Sequence, residues 1–191
     1  MRTAATLGLT GLLAAAALPL TAHAAQQCGP DAMREHPPQV NFRVDNDLFG
    51  AKDQDQGYTN GAQLTLVSPN LVDYTDDPCL PRLARWVNRH LERLHPGEFE
   101  QQNMIFSLGQ GIYTPTDFTR KDVIEDDRPY AGVLVASFGY NARRGDRLQT
   151  TLLTLGVVGP WAQGKQVQNA VHDLLGDEKF QGWDNQLHNE P

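Results

Sequence analysis

The chain has 191 residues, 40% hydrophobic and 20% charged, with 17 Gly, 12 Pro, 2 Cys and a net charge of −7. Its length fits one domain or part of a larger one, and its apolar content excludes wholesale disorder. It lacks the basic stripe that a nucleic-acid binder needs, and no apolar run of about eighteen residues follows residue 24, which excludes a spanning helix there but not a membrane β-barrel.

Residues 1–24 (MRTAATLGLTGLLAAAALPLTAHA) combine a basic start at Arg2, an apolar stretch from Leu7 to Leu20 and the small-x-small site Ala22-His23-Ala24. This is the pattern of a cleaved secretory signal peptide. An N-terminal anchor helix fits less well, because Gly, Pro and Thr interrupt the run. Residues 25–37 are polar and Pro-containing and read as an N-terminal arm. Export to an oxidising compartment makes one disulfide between Cys28 and Cys79 the expectation, two unpaired thiols being the alternative. Closing a loop of about fifty residues stabilises a fold by roughly 3–4 kcal/mol in the chain-entropy account.

Residues 40–44 (VNFRV) and 58–68 (YTNGAQLTLVS) alternate apolar and polar with period two and predict a hairpin across the polar loop 50–57. Residues 80–95 change period. Leu80, Leu83, Val87, Leu91 and Leu94 recur at three- and four-residue steps, while Arg82, Arg85, Arg89 and Arg93 take other faces. That predicts an amphipathic helix whose arginines mark a solvated face or an anionic lipid surface. Strands are expected at 102–110, 132–141 and 146–158, with Asn141–Gly145 as the turn between the last two. A short helix over 165–175 would carry Val167, Val171 and Leu174 on one side.

Five strands with open edges are fewer than the eight or more of an outer-membrane barrel. The expected fold class is therefore all-β, an incomplete piece of an antiparallel outer-membrane β-barrel with short helices in its loops, spanning residues 38–191. A small soluble sandwich is the alternative.

Four polar clusters are candidates for chemistry. Asp45-Asn46-Asp47 ends the first strand, where oxygen ligands could hold a hard cation or simply make a turn. Tyr58-Thr59-Asn60-Gly61 places Thr59 at a strand mouth. Tyr113-Thr114-Pro115 is followed by Asp127-Arg128-Pro129-Tyr130-Ala131-Gly132, either a site lining or a loop held by one ion pair. Gly159-Pro160 precedes Gly164, Gln168, His172 and Glu178. Gln168 and His172, four apart, share a helix face, and His172 has the chemistry of a general base, although a lone helical His is more often structural.

Together, in this order and with Phe49, these clusters resemble the lipid A 3′-O-deacylase family of Gram-negative outer membranes. The resemblance implies a twelve-stranded outer-membrane barrel, of which this chain supplies about the N-terminal half. It also implies a monomeric carboxylic ester hydrolase with calcium as cofactor and lipopolysaccharide as substrate, set among outer-membrane lipids. By motif position, His172, Glu178, Thr59 and Asn46 would be catalytic, Asp47 and Asn46 metal-binding, and Tyr130 and Arg128 substrate-binding. His172, oriented by Glu178, would activate water.

Other functions leave other signatures. A non-catalytic barrel would bind calcium without cleaving esters. An outer-membrane phospholipase would need a serine nucleophile, yet Ser68, Ser107 and Ser137 all sit in strand patterns and no G-x-S-x-G occurs. A soluble periplasmic lipid binder would need no detergent.

Overall fold

The computed structural model describes residues 37–46, 60–97 and 100–191, with Asn46 described by its backbone alone. Five strands form one sheet: β1 (Gln39–Asn46), β2 (Asn60–Val67), β3 (Gln101–Tyr113), β4 (Ala131–Arg144) and β5 (Arg147–Val158). Each strand neighbours the next in sequence. Helix α1 (Arg82–His90) lies in the β2–β3 connection, and helix α2 (Gly164–Leu175) follows β5. Among the described residues no helix is long and apolar enough to cross a membrane.

Register decides which face is apolar. β1 and β2 pair antiparallel, as do β2 and β3, with Phe42 opposite Leu64 and Leu64 opposite Leu108. Because side chains alternate across a strand, Val40, Phe42, Val44, Leu64, Leu66, Phe106 and Leu108 share one face. Asn41, Arg43, Gln63, Thr65 and Ser107 share the other. Phe138 of β4 joins the apolar face through a ring contact with Phe106 at 5.2 Å. On the polar face the hydroxyls of Ser137 and Thr154 meet at 2.8 Å.

The apolar face is open, with Phe42 69% and Val40 63% accessible, although Asn41, Arg43 and Gln63 on the opposite face are exposed too. A soluble sandwich would turn that face inward, whereas an outer-membrane barrel turns it to lipid and keeps polar residues inside. The sheet therefore has the polarity of an outer-membrane protein, and the soluble alternative fails.

The strands run longer than their alternation suggested. β4 continues through Asn141 to Arg144, and only Gly145-Asp146 turns the chain, correcting the longer turn expected at Asn141–Gly145. Gly145 has φ 54°, as the first position of a type II′ hairpin turn requires. Asn141 stays in the ladder because its Oδ1 accepts a hydrogen bond from the Thr150 hydroxyl at 2.7 Å.

The chain divides into two compact units. Among the described residues the first contains Ser68–Met104 and Tyr140–Thr151. Its core is Leu71, Tyr74, Cys79, Leu80, Met104, Tyr140 and Ala142. The 72–79 turn winds around the buried carboxylate of Asp77, which accepts the backbone N–H groups of Val72 and Cys79 at 2.7 Å each. Cys79 is disulfide-bonded; its expected partner Cys28 lies outside the described residues.

One member of the expected apolar stripe turns outward, while Leu80 is buried and Val87, Leu91 and Leu94 are partly buried. Leu83 is 71% exposed, while Asn88 is fully buried. The Asn88 amide donates to the Tyr74 carbonyl at 2.5 Å and accepts from the Tyr140 hydroxyl at 2.8 Å. A buried amide is stable only when so satisfied, and the polar anchor fixes which side of α1 faces in.

The second unit contains Gln39–Val67, Ile105–Gly139 and Leu152–Pro191. Its core is Ile112, Tyr130 and Trp183, with Phe180 packed against them.

Candidate active site

The candidate motifs gather at strand ends within this second unit. Asn46 closes the β1–β2 ladder opposite Asn60, and Asn60 in turn pairs with Ile112. Tyr130 precedes β4, and Gly159 follows β5. Asp47, Phe49, Tyr58 and Thr59 lie outside the described residues, as do the expected signal peptide over 1–24 and all of the expected arm before residue 37.

Glycine lets α2 dock on this end of the sheet. A methyl group at Gly164 would stand 2.9 Å from the Gly132 Cα and 2.9 Å from the Trp183 ring. The approach is secured by Gly159 N–H donating to the Gly132 carbonyl at 2.8 Å. From Gly164 the helix turns its polar side inward, with Gln168 1% exposed. The Gln168 Oε1 accepts the Trp183 indole N–H at 2.6 Å.

The apolar residues expected to form the packed side of α2 point outward instead: Leu174 is 84% and Val167 38% exposed. The cause is the same as in α1, a buried amide in place of a leucine anchor.

His172 sits in the last turn of α2, four residues beyond Gln168 and half-buried. Its carbonyl accepts the N–H groups of Gly176 at 2.8 Å and Asp177 at 3.0 Å, and Gly176 takes the left-handed conformation at φ 77°. This cap folds the following residues back over the helix end. The Glu178 carbonyl oxygen then lies 2.5 Å from His172 Nδ1, and the Phe180 ring meets the imidazole edge-on at 4.9 Å.

Glu178 meets His172 through its main chain. Its own residue is exposed, which corrects the expectation of an orienting carboxylate. A carbonyl can only accept, so Nδ1 is the donor, and in the neutral ring Nε2 carries the free lone pair.

Tyr130 is also corrected. It is 4% exposed, packed 5.0 Å from the Trp183 ring, with its hydroxyl donating to the Phe118 carbonyl at 3.4 Å. Burial raises its pKa. A core residue of this kind has no face for a substrate. Arg128 is half-buried, with Nε 3.6 Å from the Asp127 carboxylate. Asp127 accepts the backbone N–H of Thr116 at 2.6 Å and that of Arg128 at 2.7 Å, and these bonds hold its carboxyl below the usual range. The pair therefore organises the 114–130 loop.

Among the described residues no group of three or more His, Cys, Asp or Glu could hold a metal ion. Trp183 and Phe180, which fix Gln168 and His172, were not singled out in the sequence. The only signal was an aromatic pair three residues apart in an otherwise polar tail.

An antiparallel meander with an apolar outer face, and with its polar motifs collected at strand ends and loops, defines an outer-membrane β-barrel protein. The model of the family described as outer membrane protein LpxR matches residues 9–191. The chain belongs to that family, and the protein is an outer-membrane protein. Among solved structures it is similar to LpxR from Salmonella typhimurium, at 21% identity and a TM-score of 0.57. That match covers 79% of this chain and 47% of the Salmonella chain, so the chain spans about half the length of that structure. No curated protein matches it.

Proposed function

We propose that the protein is a lipid A deacylase, hydrolysing the ester that links the 3′ acyloxyacyl group of lipid A in the outer membrane. The observation that carries this reading is the geometry of His172. Its Nδ1 is committed to the Glu178 carbonyl at 2.5 Å, which leaves Nε2 as a base. Nε2 would take a proton from water as the water attacks the ester carbonyl, and would return it to the departing hydroxyl. Gln168 and Phe180 would hold α2 and the ring in register for that transfer.

Asn46, Asp47 and Thr59 extend the proposal. An amide and a carboxylate at neighbouring positions are hard oxygen donors of the kind calcium takes. Bound there, calcium would supply a positive charge for the developing oxyanion. Thr59 would complete that oxyanion site. A monomeric barrel is sufficient for this chemistry.

The test is mass spectrometry of lipid A from cells producing the protein or its His172→Ala variant. Loss of one 3′ acyloxyacyl group only with the unmutated protein supports the reading. Unchanged lipid A in a well-inserted barrel overturns it and leaves a binding protein, or an ester other than this one.

A further inference from the structure

α1 concentrates charge that the rest of the chain opposes. Against a net charge of −7, its nine residues include Arg82, Arg85 and Arg89, no acidic residue, and Arg93 follows within a turn. Among the described residues only Arg89 of these four has an ion pair, with Asp76 at 2.7 Å.

Beside the arginines two large apolar side chains point outward, Leu83 at 71% and Trp86 at 56% exposure, with Val72 nearby in sequence at 91%. Trp86 is held in that pose. His90 packs on its ring at 4.4 Å and hydrogen-bonds its carbonyl at 2.8 Å.

The inner side of α1 says which way this face looks. Asn88 meets the Met104 sulfur at 3.5 Å and the Tyr140 hydroxyl at 2.8 Å. Met104 and Tyr140 lie two residues along their strands from Phe106 and Phe138, so by the pleat they share the apolar outer face. α1 therefore lies on the lipid-facing side of β3 and β4.

We infer that the outer face of α1 docks on the anionic phospholipid headgroups of the membrane the strands cross. Trp settles at headgroup level, and leucine enters the acyl boundary beside it. Arginine keeps its stem on apolar surface and its guanidinium at phosphate. A basic amphipathic segment of this kind binds in proportion to both its apolar area and the anionic charge it meets. An acidic protein partner would satisfy the arginines but not the exposed Leu83 and Trp86 on the lipid side.

The full chain is inserted in phosphatidylcholine vesicles carrying either brominated phosphatidylglycerol or the same mole fraction of brominated phosphatidylcholine. The Trp86 signal is the difference from Trp86→Phe. The anionic lipid should quench it roughly twofold more than the neutral one, and high salt should remove the difference. Combined Arg82→Gln, Arg85→Gln and Arg93→Gln should equalise the two lipids while leaving the β circular dichroism unchanged. Equal quenching of the unmutated protein overturns the headgroup recognition. No quenching by either lipid overturns the docking and makes an acidic partner the occupant.

Discussion

His172 Nδ1 lies 2.5 Å from the main-chain carbonyl oxygen of Glu178, a contact set by the left-handed cap at Gly176 rather than by the glutamate side chain. Orientation of the imidazole is therefore a property of the helix end. In lipid A deacylation assays His172→Ala should lower the rate by ~10²–10⁴-fold, the contribution of a lost general base. Glu178→Ala, which keeps the carbonyl, should stay within roughly threefold, as for an exposed substitution. A loss at Glu178 as large as that at His172 would return the orienting role to the carboxylate.

Gly164→Ala puts a methyl group 2.9 Å from both the Gly132 Cα and the Trp183 ring. Backbone cannot yield as a flexible side chain does, so overpacking here should cost about 1–3 kcal/mol. The readout is the urea midpoint of the folded protein in detergent. An unchanged midpoint would mean that α2 is not seated on β4 as described.

Gln168→Leu keeps the size of a buried side chain and removes the acceptor of the Trp183 indole N–H. An unsatisfied buried donor costs about 1–3 kcal/mol. Adding Trp183→Phe should recover part of the loss, because it removes the stranded donor as well. Strict additivity in that double-mutant cycle would contradict the 2.6 Å bond.

His95 lies against the rings of Tyr74 at 5.0 Å and Tyr140 at 4.6 Å, and desolvation lowers its pKa below the ordinary value of 6.5. The unfolded chain then binds the proton more readily than the folded one. Stability is full above 6.5 and falls as pH drops from there toward the folded value. His95→Gln should flatten that slope, measured as urea midpoints at mildly acidic and neutral pH. An identical slope in the variant would assign the effect to another group.

Cys79 is disulfide-bonded, and the sequence holds one other cysteine, Cys28. Non-reducing peptide mapping should recover a single Cys28–Cys79 peptide, and reduction should lower stability by roughly 3–4 kcal/mol. Recovery of the Cys28 peptide as a free thiol would contradict the pairing.

The alternation of VNFRV and AQLTLV was enough to place β1 and β2, and the change of period after residue 80 was enough to place α1. What those patterns did not carry was direction. Read as a soluble amphipathic segment, α1 should bury Leu83 and expose Asn88, and α2 should bury Leu174 and expose Gln168. Instead Leu83 and Leu174 are exposed and Asn88 and Gln168 buried, because each helix is anchored by an amide that finds its partner inside. The strand end at Asn141 was misread for a related reason: a polar residue that bonds across the ladder to Thr150 has no cause to leave it.

The site was legible as a set of motifs but not as a set of contacts. His172 and Glu178 do meet, yet a sequence lists side chains, and the group that reaches the imidazole is a carbonyl that any residue at that position would carry. Tyr130 looked like a site lining because it stood among Asp, Arg and Pro. Only packing against Trp183, 53 positions later in the chain, made it core.

The sequence by itself determined the class of protein, the order and period of its elements, and the residue types available for ester chemistry. These follow from local rules: side-chain periodicity, turn propensity and the charge each residue carries. The tertiary structure alone decided which face of each element is inward, which of the conspicuous polar residues are structural, and which atom holds His172. Those outcomes depend on long-range desolvation and hydrogen-bond satisfaction, because a buried amide or indole must find its partner wherever in the chain that partner happens to lie.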